Sequence, residues 1–252
     1  MTTGTQPTKS RRARKPSSAE GAPALLGEIV APASLGEMVF DRLRDAIIDR
    51  SLPPGARVAE WAIAEQLGVS RTPVRETLWR LRQMGLIEAV GRKGYRVAYP
   101  SRTAIEQAYE VHEALQVLAV GLATERATAE NLDAIREAAR ASLAGAENGS
   151  AAEFLQWDDE FHERITGGAQ NPRLKVLVDD TAALVLTLRS PEFLYERAAL
   201  ECARQHVEIG DAMAHRNRVE AEGQMRGHIQ RVRDYVLEGD SGRENAVPEA
   251  AS

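Results

Sequence analysis

The chain has 252 residues, of which 43% are hydrophobic and 27% charged, and this length accommodates about two domains. Its single cysteine, Cys202, excludes an internal disulfide and fits a reducing compartment, and no apolar run reaches the length that a membrane span requires. These features exclude a disulfide-stabilised secreted module and a membrane-spanning protein. We therefore expect a cytoplasmic location and no membrane partner.

The formal net charge of −5 is unevenly distributed along the chain. Residues 34–100 contain eleven Lys and Arg against eight Asp and Glu, whereas residues 101–252 contain sixteen against twenty-seven. This balance is compatible with DNA binding, because phosphate neutralisation requires positive charge only on the contacting surface. Residues 1–33, rich in Thr, Ser, Pro, Ala and Gly, are predicted to be a disordered arm whose basic residues stay solvated or add phosphate contacts. Residues 240–252 are predicted to be a flexible tail.

The first domain, residues 34–100, has the element order of a winged helix-turn-helix. Apolar residues at helical spacing predict a helix over residues 34–50, which ends at a Leu-Pro-Pro-Gly turn. Residues 60–84 predict two short helices around a Gly-Val turn. Two β-prone runs, residues 86–90 and 95–99, flank a Gly-Arg-Lys-Gly turn and predict a hairpin, which would be the wing.

The second helix of the pair begins with a group of polar residues that a recognition helix would present to base edges. These residues are Ser70, which is also a suitable N-cap, Arg71, Thr72 and Arg75. Arginine pairs bidentately with guanine O6 and N7, and the wing residues Arg92, Lys93 and Gly94 would lie near phosphate or the minor groove. The alternative is a surface helix with solvated arginines, which the basic hairpin directly after it disfavours.

From residue 101 onward the apolar pattern is helical throughout and predicts an antiparallel all-α bundle, residues 101–239. The predicted helices span residues 103–127, 130–147, 151–167, 172–189, 193–215 and 217–238. The whole chain is therefore expected to be mainly α, with a small β-hairpin wing in its first domain.

Four polar residues interrupt the apolar stripes of the bundle. Asp158 and His162 are four residues apart on one helix face, and His206 and His228 lie on the stripes of the last two helices. Burial of such groups is costly unless they are paired or bound, and three imidazoles with one carboxylate suit Zn²⁺, Ni²⁺, Mn²⁺ or Fe²⁺. The spacing alone leaves a divalent-metal site and a hydrogen-bonded polar core as open alternatives.

The stretch IAEQLGVSRTPVRETL resembles the DNA-binding domain of GntR-type bacterial transcription regulators. The resemblance implies that Arg71, Thr72 and Arg75 contact the groove and that the Lys93-Gly94 turn is the wing tip. Some members have a DNA-contacting arginine where this chain has Trp61, so that contact is expected to be absent. Members of the family dimerise, which implies a homodimer on a pseudo-palindromic double-stranded DNA operator.

Residues 101–238 resemble the FCD domain, the helical effector domain of the FadR branch of that family. Its metal-binding members carry the pattern D-x-x-F-H followed by two histidines on the last two long helices. The resemblance thus implies that Asp158, His162, His206 and His228 are the metal ligands, and repression is the usual outcome in the family.

The first bundle helix departs from the family pattern, with His112 and Gln116 where many members have arginine and glutamate. That arginine would pair with an effector carboxylate, so its loss leaves two roles open for His112: donation to the effector or metal, or a hydrogen bond in the core. Arg189, at a helix end, is a weaker candidate partner for an acid, and a solvated helix-terminal cation is the favoured interpretation. Cys202 is interpreted as a small core residue.

These observations predict a transcription regulator controlled by a small carboxylic-acid effector that coordinates the metal and changes the spacing of the two winged helices through the linker at Pro100. Two alternatives use the same site: a metal-responsive regulator, and a regulator with a purely structural metal. A metal-dependent enzyme is disfavoured, because the nearby carboxylates of Glu160 and Glu163 lie off the face shared by Asp158 and His162.

Overall fold

The computed structural model describes residue 1 and residues 35–91, 94–189 and 191–240; for residues 191–197, 239 and 240 it describes the backbone alone. The predicted N-terminal arm beyond residue 1, most of the predicted tail and the wing residues Arg92 and Lys93 lie outside the described residues. In the described part, helices dominate and the strands form one small sheet, so the predicted mainly α fold is confirmed.

The first domain is a winged helix-turn-helix. Its elements are α1 (Leu35–Ile48), β1 (Arg57–Val58), α2 (Glu60–Leu67), α3 (Arg71–Gln83), β2 (Ile87–Val90) and β3 (Gly94–Val97). The hairpin β2–β3 matches the prediction, and β1 adds a third antiparallel strand through the pairs Arg57–Arg96 and Val58–Tyr95. The sequence analysis missed β1 because two residues are too few to show a strand pattern.

The helix-turn-helix geometry follows from local sequence. Gly68 ends α2 in the left-handed conformation, with φ of 66°, which glycine adopts without steric cost. Helix α3 then buries Val74, Leu78 and Leu81 completely, so its opposite face is directed outward. The Arg80 guanidinium lies 3.7 Å from the centre of the Phe40 ring, a cation–π contact that joins α3 to α1.

The second domain is a bundle of long helices. These are α4 (Arg102–Arg126), α5 (Ala129–Glu147), α6 (Ala151–Gly168), α7 (Pro172–Leu188), α8 (Pro191–Ala214) and α9 (Arg218–Asp240). Each predicted helix agrees with an observed one to within two residues at both ends. Side-chain caps set the first turns of α4 to α7, where Ser101, Thr128, Ser150 and Asn171 each accept a hydrogen bond from a backbone N–H three residues on. Within the described residues, no helix combines the length and the apolar character needed to cross a bilayer.

Helix α7 belongs to both domains. Ala183 and Leu184 pack with the hydrophobic core of the winged helix, while Leu174, Val178 and Val185 pack into the core of the bundle. A bundle helix that contributes side chains to the DNA-binding domain makes the two cores adjacent, so a displacement of α7 must disturb both.

Candidate nucleic-acid interface and metal centre

The predicted recognition residues lie together at the start of α3. Ser70 occupies the N-cap position with extended backbone, but its side chain makes no capping hydrogen bond. Arg71, Thr72 and Arg75 follow in the first turns and are all exposed. The four residues thus form one accessible polar surface at a helix N-terminus, where backbone N–H groups also favour phosphate. Their contacts with DNA remain a prediction.

Arg75 is the member of this surface with a defined partner. Its Nη2 lies 2.7 Å from Glu60 Oε1 and its Nε lies 3.1 Å from Glu60 Oε2, so the carboxylate takes the guanidinium side-on. This hydrogen bond is the main cause of the lowered pKa of Glu60. The sequence analysis did not identify Glu60, because the pairing joins the starts of two helices and depends on how they cross.

The remaining part of the predicted DNA surface is the wing. Gly94 begins β3 and is half-buried, while Arg92 and Lys93 fall outside the described residues. Trp61, at the position where some family members carry arginine, is exposed and offers no positive charge. Among the described residues, the side chains predicted to contact DNA therefore lie mainly on α3.

Three helices of the bundle bring their histidines together. One ligand nitrogen from each of His162, His206 and His228 lies within 4.8 Å of the others, which makes this trio a group able to hold a metal ion. The Nε2 atoms of His206 and His228 are 3.3 Å apart, and Asp158 Oδ1 lies 3.6 Å from His206 Nε2. The structure therefore places all four predicted ligands at one point, with Asp158 beside the trio rather than within it.

The hydrogen bonds of this cluster are incomplete. With the Gln205 side-chain oxygen as acceptor at 2.9 Å, His228 Nδ1 carries the proton and Nε2 keeps a lone pair, the form that binds a metal. The Nδ1 atoms of His162 and His206 are buried and have no hydrogen-bond partner among the described residues. Gln205 was missed by the sequence analysis, since its contact crosses from α8 to α9.

Burial determines the charge state of these imidazoles. Removal of water lowers the pKa of His162, His206 and His228, and for His206 and His228 the pKa falls well below its ordinary value. The three rings are therefore neutral at physiological pH, as metal ligation requires. Burial likewise raises the pKa of Cys202 to about 12, so this residue is a neutral thiol, in agreement with the predicted core role.

A cavity of about 320 Å³ adjoins the cluster. Asp158, His162 and His228 form part of its wall, and the opposite wall comes from α4 and α7. Asp159 and Tyr109 also line it, although neither was predicted. A cavity of this size falls at the small end of the range for small-molecule sites.

His112 and Gln116 line the cavity and are both buried. The Thr181 hydroxyl donates to a backbone carbonyl of α7, so His112 Nδ1 donates to Thr181 Oγ1 at 3.1 Å. Burial lowers the pKa of His112 to about 3, which keeps its ring neutral, and its Nε2 lies 3.5 Å from the Gln116 amide nitrogen. His112 is thus a hydrogen-bonded neutral group of the cavity wall, which cannot replace the positive charge of the family arginine.

Arg189 differs from the favoured prediction of a solvated helix-terminal cation. Its relative exposure is 9%, it lines the cavity, and its Nε has no hydrogen-bond partner among the described residues. A cation at the end of a helix is usually solvated. Arg189 is buried instead, because the end of α7 is enclosed between the two domains. Arg189 is therefore the buried cation of this cavity, which strengthens its candidacy as the partner of an acid.

The chain also matches known sequences in both domains. Residues 35–97 match the family described as bacterial regulatory proteins of the gntR family, and residues 107–231 match the FCD domain. The chain is 34% identical over 187 residues to the Nta operon transcriptional regulator of Aminobacter aminovorans, which covers 73% of this chain and 86% of that protein. It is 30% identical over 212 residues to the HTH-type transcriptional regulator LutR of Bacillus subtilis, covering 75% of this chain and 94% of LutR.

A winged helix attached to a helical bundle is the architecture of a DNA-binding regulator. The chain belongs to the GntR family of bacterial transcription regulators, and its second domain is an FCD domain. Among solved structures, Escherichia coli McbR/YncC has the same fold, with a TM-score of 0.67 at 22% identity over 82% of this chain and 99% of that one. The predictions of a DNA-binding transcription regulator and of a non-enzymatic protein are confirmed.

The buried imidazoles lead to a prediction for the metal-free protein. Folding lowers the pKa of His112, His162, His206 and His228 below 6.5, so the unfolded chain binds more protons than the folded chain below that pH. The free energy of unfolding is therefore retained above pH 6.5 and is expected to fall on acidification, by roughly 1 kcal/mol per pH unit for each imidazole. The measurement is the urea midpoint of EDTA-treated protein at pH 7.5, 6.5 and 5.5.

Two carboxyl groups, Asp159 and Asp180, oppose this trend, because desolvation raises the pKa of each. Desolvation and the charge of Asp158 raise the pKa of Asp159 to about 6, which favours the folded state as the pH falls, but this side chain remains partly exposed and its effect is expected to be smaller. A midpoint that stays constant or rises between pH 7.5 and 5.5 would contradict the burial of neutral imidazoles.

Proposed function

We propose that this regulator binds its operator as a homodimer and that a small carboxylic acid, held at a divalent-metal site in the FCD domain, controls the operator affinity. The observation that carries the proposal is the convergence of three neutral imidazoles and Asp158 beside a cavity, whose wall includes His162, His228, Asp158 and the buried cation Arg189. Metal ligands and an anion partner thus border one space of small-molecule size.

The residues present fit a metal ion. The donors are three imidazole nitrogens and one carboxylate, which are the ligand types of first-row divalent ions, and the Nε2 atoms of His206 and His228 face each other at 3.3 Å with Asp158 beside them. His162, His206, His228 and Asp158 would hold the ion, and Gln205 would orient His228 through its Nδ1–H. The ion would supply a Lewis-acidic position to which a carboxylate oxygen of the effector binds.

The rest of the cavity favours one carboxylate and one uncharged polar group. Arg189 supplies a buried guanidinium, which pairs with a carboxylate through charge-assisted hydrogen bonds. His112 is neutral, and Gln116 offers a buried amide whose Oε1 lacks a partner among the described residues. These groups suit a hydroxyl or carbonyl better than a second carboxylate. A small acid with such a group next to its chelating carboxylate therefore matches the lining.

The connection to the DNA-binding domain is α7. Its Val185 and Arg189 border the cavity, while its Ala183 and Leu184 pack with the winged-helix core. The residue Arg50, which follows α1, donates from Nη2 to the Arg189 carbonyl at 2.8 Å. An acid that draws the Arg189 side chain toward the metal would act on the same residue that holds the winged helix. A ligand shifts such an equilibrium only by its differential affinity for the two arrangements.

The metal itself is a second candidate signal. The ligand atoms are almost completely buried, since His206 and His228 are 0% and 3% exposed, and this is compatible with a regulator that responds to the ion or retains it permanently. Removal of the metal separates these cases. A metal sensor would lose its regulation of operator binding while staying folded, whereas a structural site would unfold.

The first prediction of the proposal concerns metal content. The double variant His162→Ala/His206→Ala is expected to lose the metal that the wild-type chain carries at about one ion per chain, because two of its donors are removed. Elemental analysis of untagged protein is the measurement. His215→Ala is the matched control, because His215 is an exposed histidine whose Nδ1 lies 2.8 Å from the Asp211 carbonyl. Equal metal in all three proteins, or none in the wild type, would contradict the site.

The second prediction concerns the acid. Arg189→Gln is expected to weaken binding of a chelating carboxylate by roughly tenfold or more while the metal content is unchanged, because a charge-assisted pair is lost. Titration calorimetry with a panel of small carboxylic acids, beginning with the 2-hydroxy acid lactate and the 2-oxo acid pyruvate, is the measurement. Arg173→Gln, on the exposed face of the same helix, controls for the change in net charge. An unchanged affinity in Arg189→Gln would remove Arg189 from the effector site.

The third prediction concerns the coupling. Arg50→Gln is expected to keep metal content, acid affinity and acid-free operator affinity, but to reduce the change in operator affinity that the acid causes, because the contact with the Arg189 carbonyl is lost. Fluorescence anisotropy with a selected operator, with and without the acid, measures this ratio. The control is Arg42→Gln, an exposed arginine of α1. If the acid changes the operator affinity of Arg50→Gln by the same factor as that of the wild type, the coupling does not depend on the contact of Arg50 with Arg189.

A further inference from the structure

The ion pair between Glu60 and Arg75 lies on the predicted DNA-binding surface and joins α2 to α3. Glu60 is in the first turn of α2 and Arg75 is in the second turn of α3. The Glu60 side chain is 27% exposed, whereas the Arg75 side chain is 67% exposed. The carboxylate is therefore the partly shielded partner, and the guanidinium extends from it toward solvent.

The geometry of the pair decides which donors of Arg75 remain available. A guanidinium has five N–H donors, and Glu60 accepts one from Nε and one from Nη2. The remaining donors are both hydrogens of Nη1 and one of Nη2, which form the end of the fork. One N–H from each of these two nitrogens is the pair that reaches guanine O6 and N7 in the major groove.

We propose that Glu60 is a positioning residue for DNA recognition, which holds Arg75 side-on so that its terminal fork selects guanine at one base pair of each operator half-site. This proposal depends on the proposed assignment of Arg75 to the groove. An arginine without such a partner can turn toward a phosphate or donate a single hydrogen bond to another base. A guanidinium held on one edge by two hydrogen bonds presents the two donors of its free end in one plane.

The surroundings of the pair support this role. The hydrogen bond from Arg75 and the charge of Arg71 both lower the pKa of Glu60, so its carboxylate is ionised at neutral pH. Trp61, the next residue, is exposed and uncharged and does not compete for the carboxylate. The pair with Glu60 restricts the long Arg75 side chain in the free protein, so less conformational entropy is lost when DNA binds.

The experiment uses the full-length protein and an operator selected from a randomised duplex library. The affinity is measured with each of the four base pairs at every position of the half-site. The position that loses discrimination in Arg75→Ala defines the Arg75 contact. Glu60→Ala and Glu60→Gln are then compared with the wild type at that position, and Glu65→Gln serves as the control because it removes the same charge from an exposed residue of α2.

Both Glu60 variants are expected to lose about tenfold of the preference for guanine at the Arg75 position and to keep the wild-type preferences elsewhere. In the Arg75→Ala background, Glu60→Ala is expected to have no further effect on discrimination. Thermal melting of each variant establishes that it is folded. Glu60→Gln, which preserves the side-chain shape, provides the test if Glu60→Ala is unstable.

Three other outcomes would overturn the proposal. An unchanged guanine preference in both variants would show that Arg75 needs no support. A stronger preference would show that Glu60 competes with DNA for Arg75. If Arg75→Ala changes discrimination at no position, the assignment of Arg75 to the groove fails first, and this result is distinguishable from a failure at Glu60 alone.

Discussion

The constraint on which the second domain depends is the burial of uncharged imidazoles inside a helical core. His162, His206 and His228 occupy positions that aliphatic side chains would fill in an ordinary bundle, and their desolvation keeps them neutral. Buried polar groups are tolerated only when they find partners, and one nitrogen of His162 and one of His206 find none among the described residues. The core therefore gives up stability at this point, and an ion bound through the nitrogens that face the cluster, such as Nε2 of His206 and of His228, would offset part of this cost.

The cavity beside the imidazoles also borders the DNA-binding domain. The cavity beside the imidazoles extends to α7, whose other face completes the winged-helix core through Ala183 and Leu184. Arg44 of α1 also lines the cavity. Because close-packed interiors respond to small changes by discrete rearrangement, a ligand at this boundary needs no long path to affect the recognition helices. A small displacement of α7 beside this polar cluster would therefore affect both domains.

Much of this arrangement could be predicted from the sequence because it is local. Asp158 and His162 share a helix face by their spacing of four, and the apolar stripes place His206 and His228 inward, so the cluster follows once the helices are paired. Arg189 could not be predicted in the same way: its place at the end of α7 favours solvent, and only the packing of α7 between two cores buries it. Gln205 and Glu60 were missed for the same reason, since each contacts a residue of another helix.

The two arginines Arg75 and Arg189 differ in burial and in partners, and these differences suit their proposed roles in DNA recognition and in acid binding. Arg75 is exposed and already paired with Glu60, so its charge is partly neutralised, and in the proposed role its remaining donors would read a base pattern rather than attract any polyanion. Arg189 is buried, and its Nε has no hydrogen-bond partner among the described residues, although the Asp159 carboxylate and the Tyr109 hydroxyl interact with its charge. An incoming carboxylate would relieve the desolvation cost that remains. The partner of the first is built into the fold, which favours selectivity in DNA recognition. The proposed additional partner of Arg189 is the carboxylate of the effector. Binding of that effector can therefore change the relative free energies of the two arrangements of the regulator.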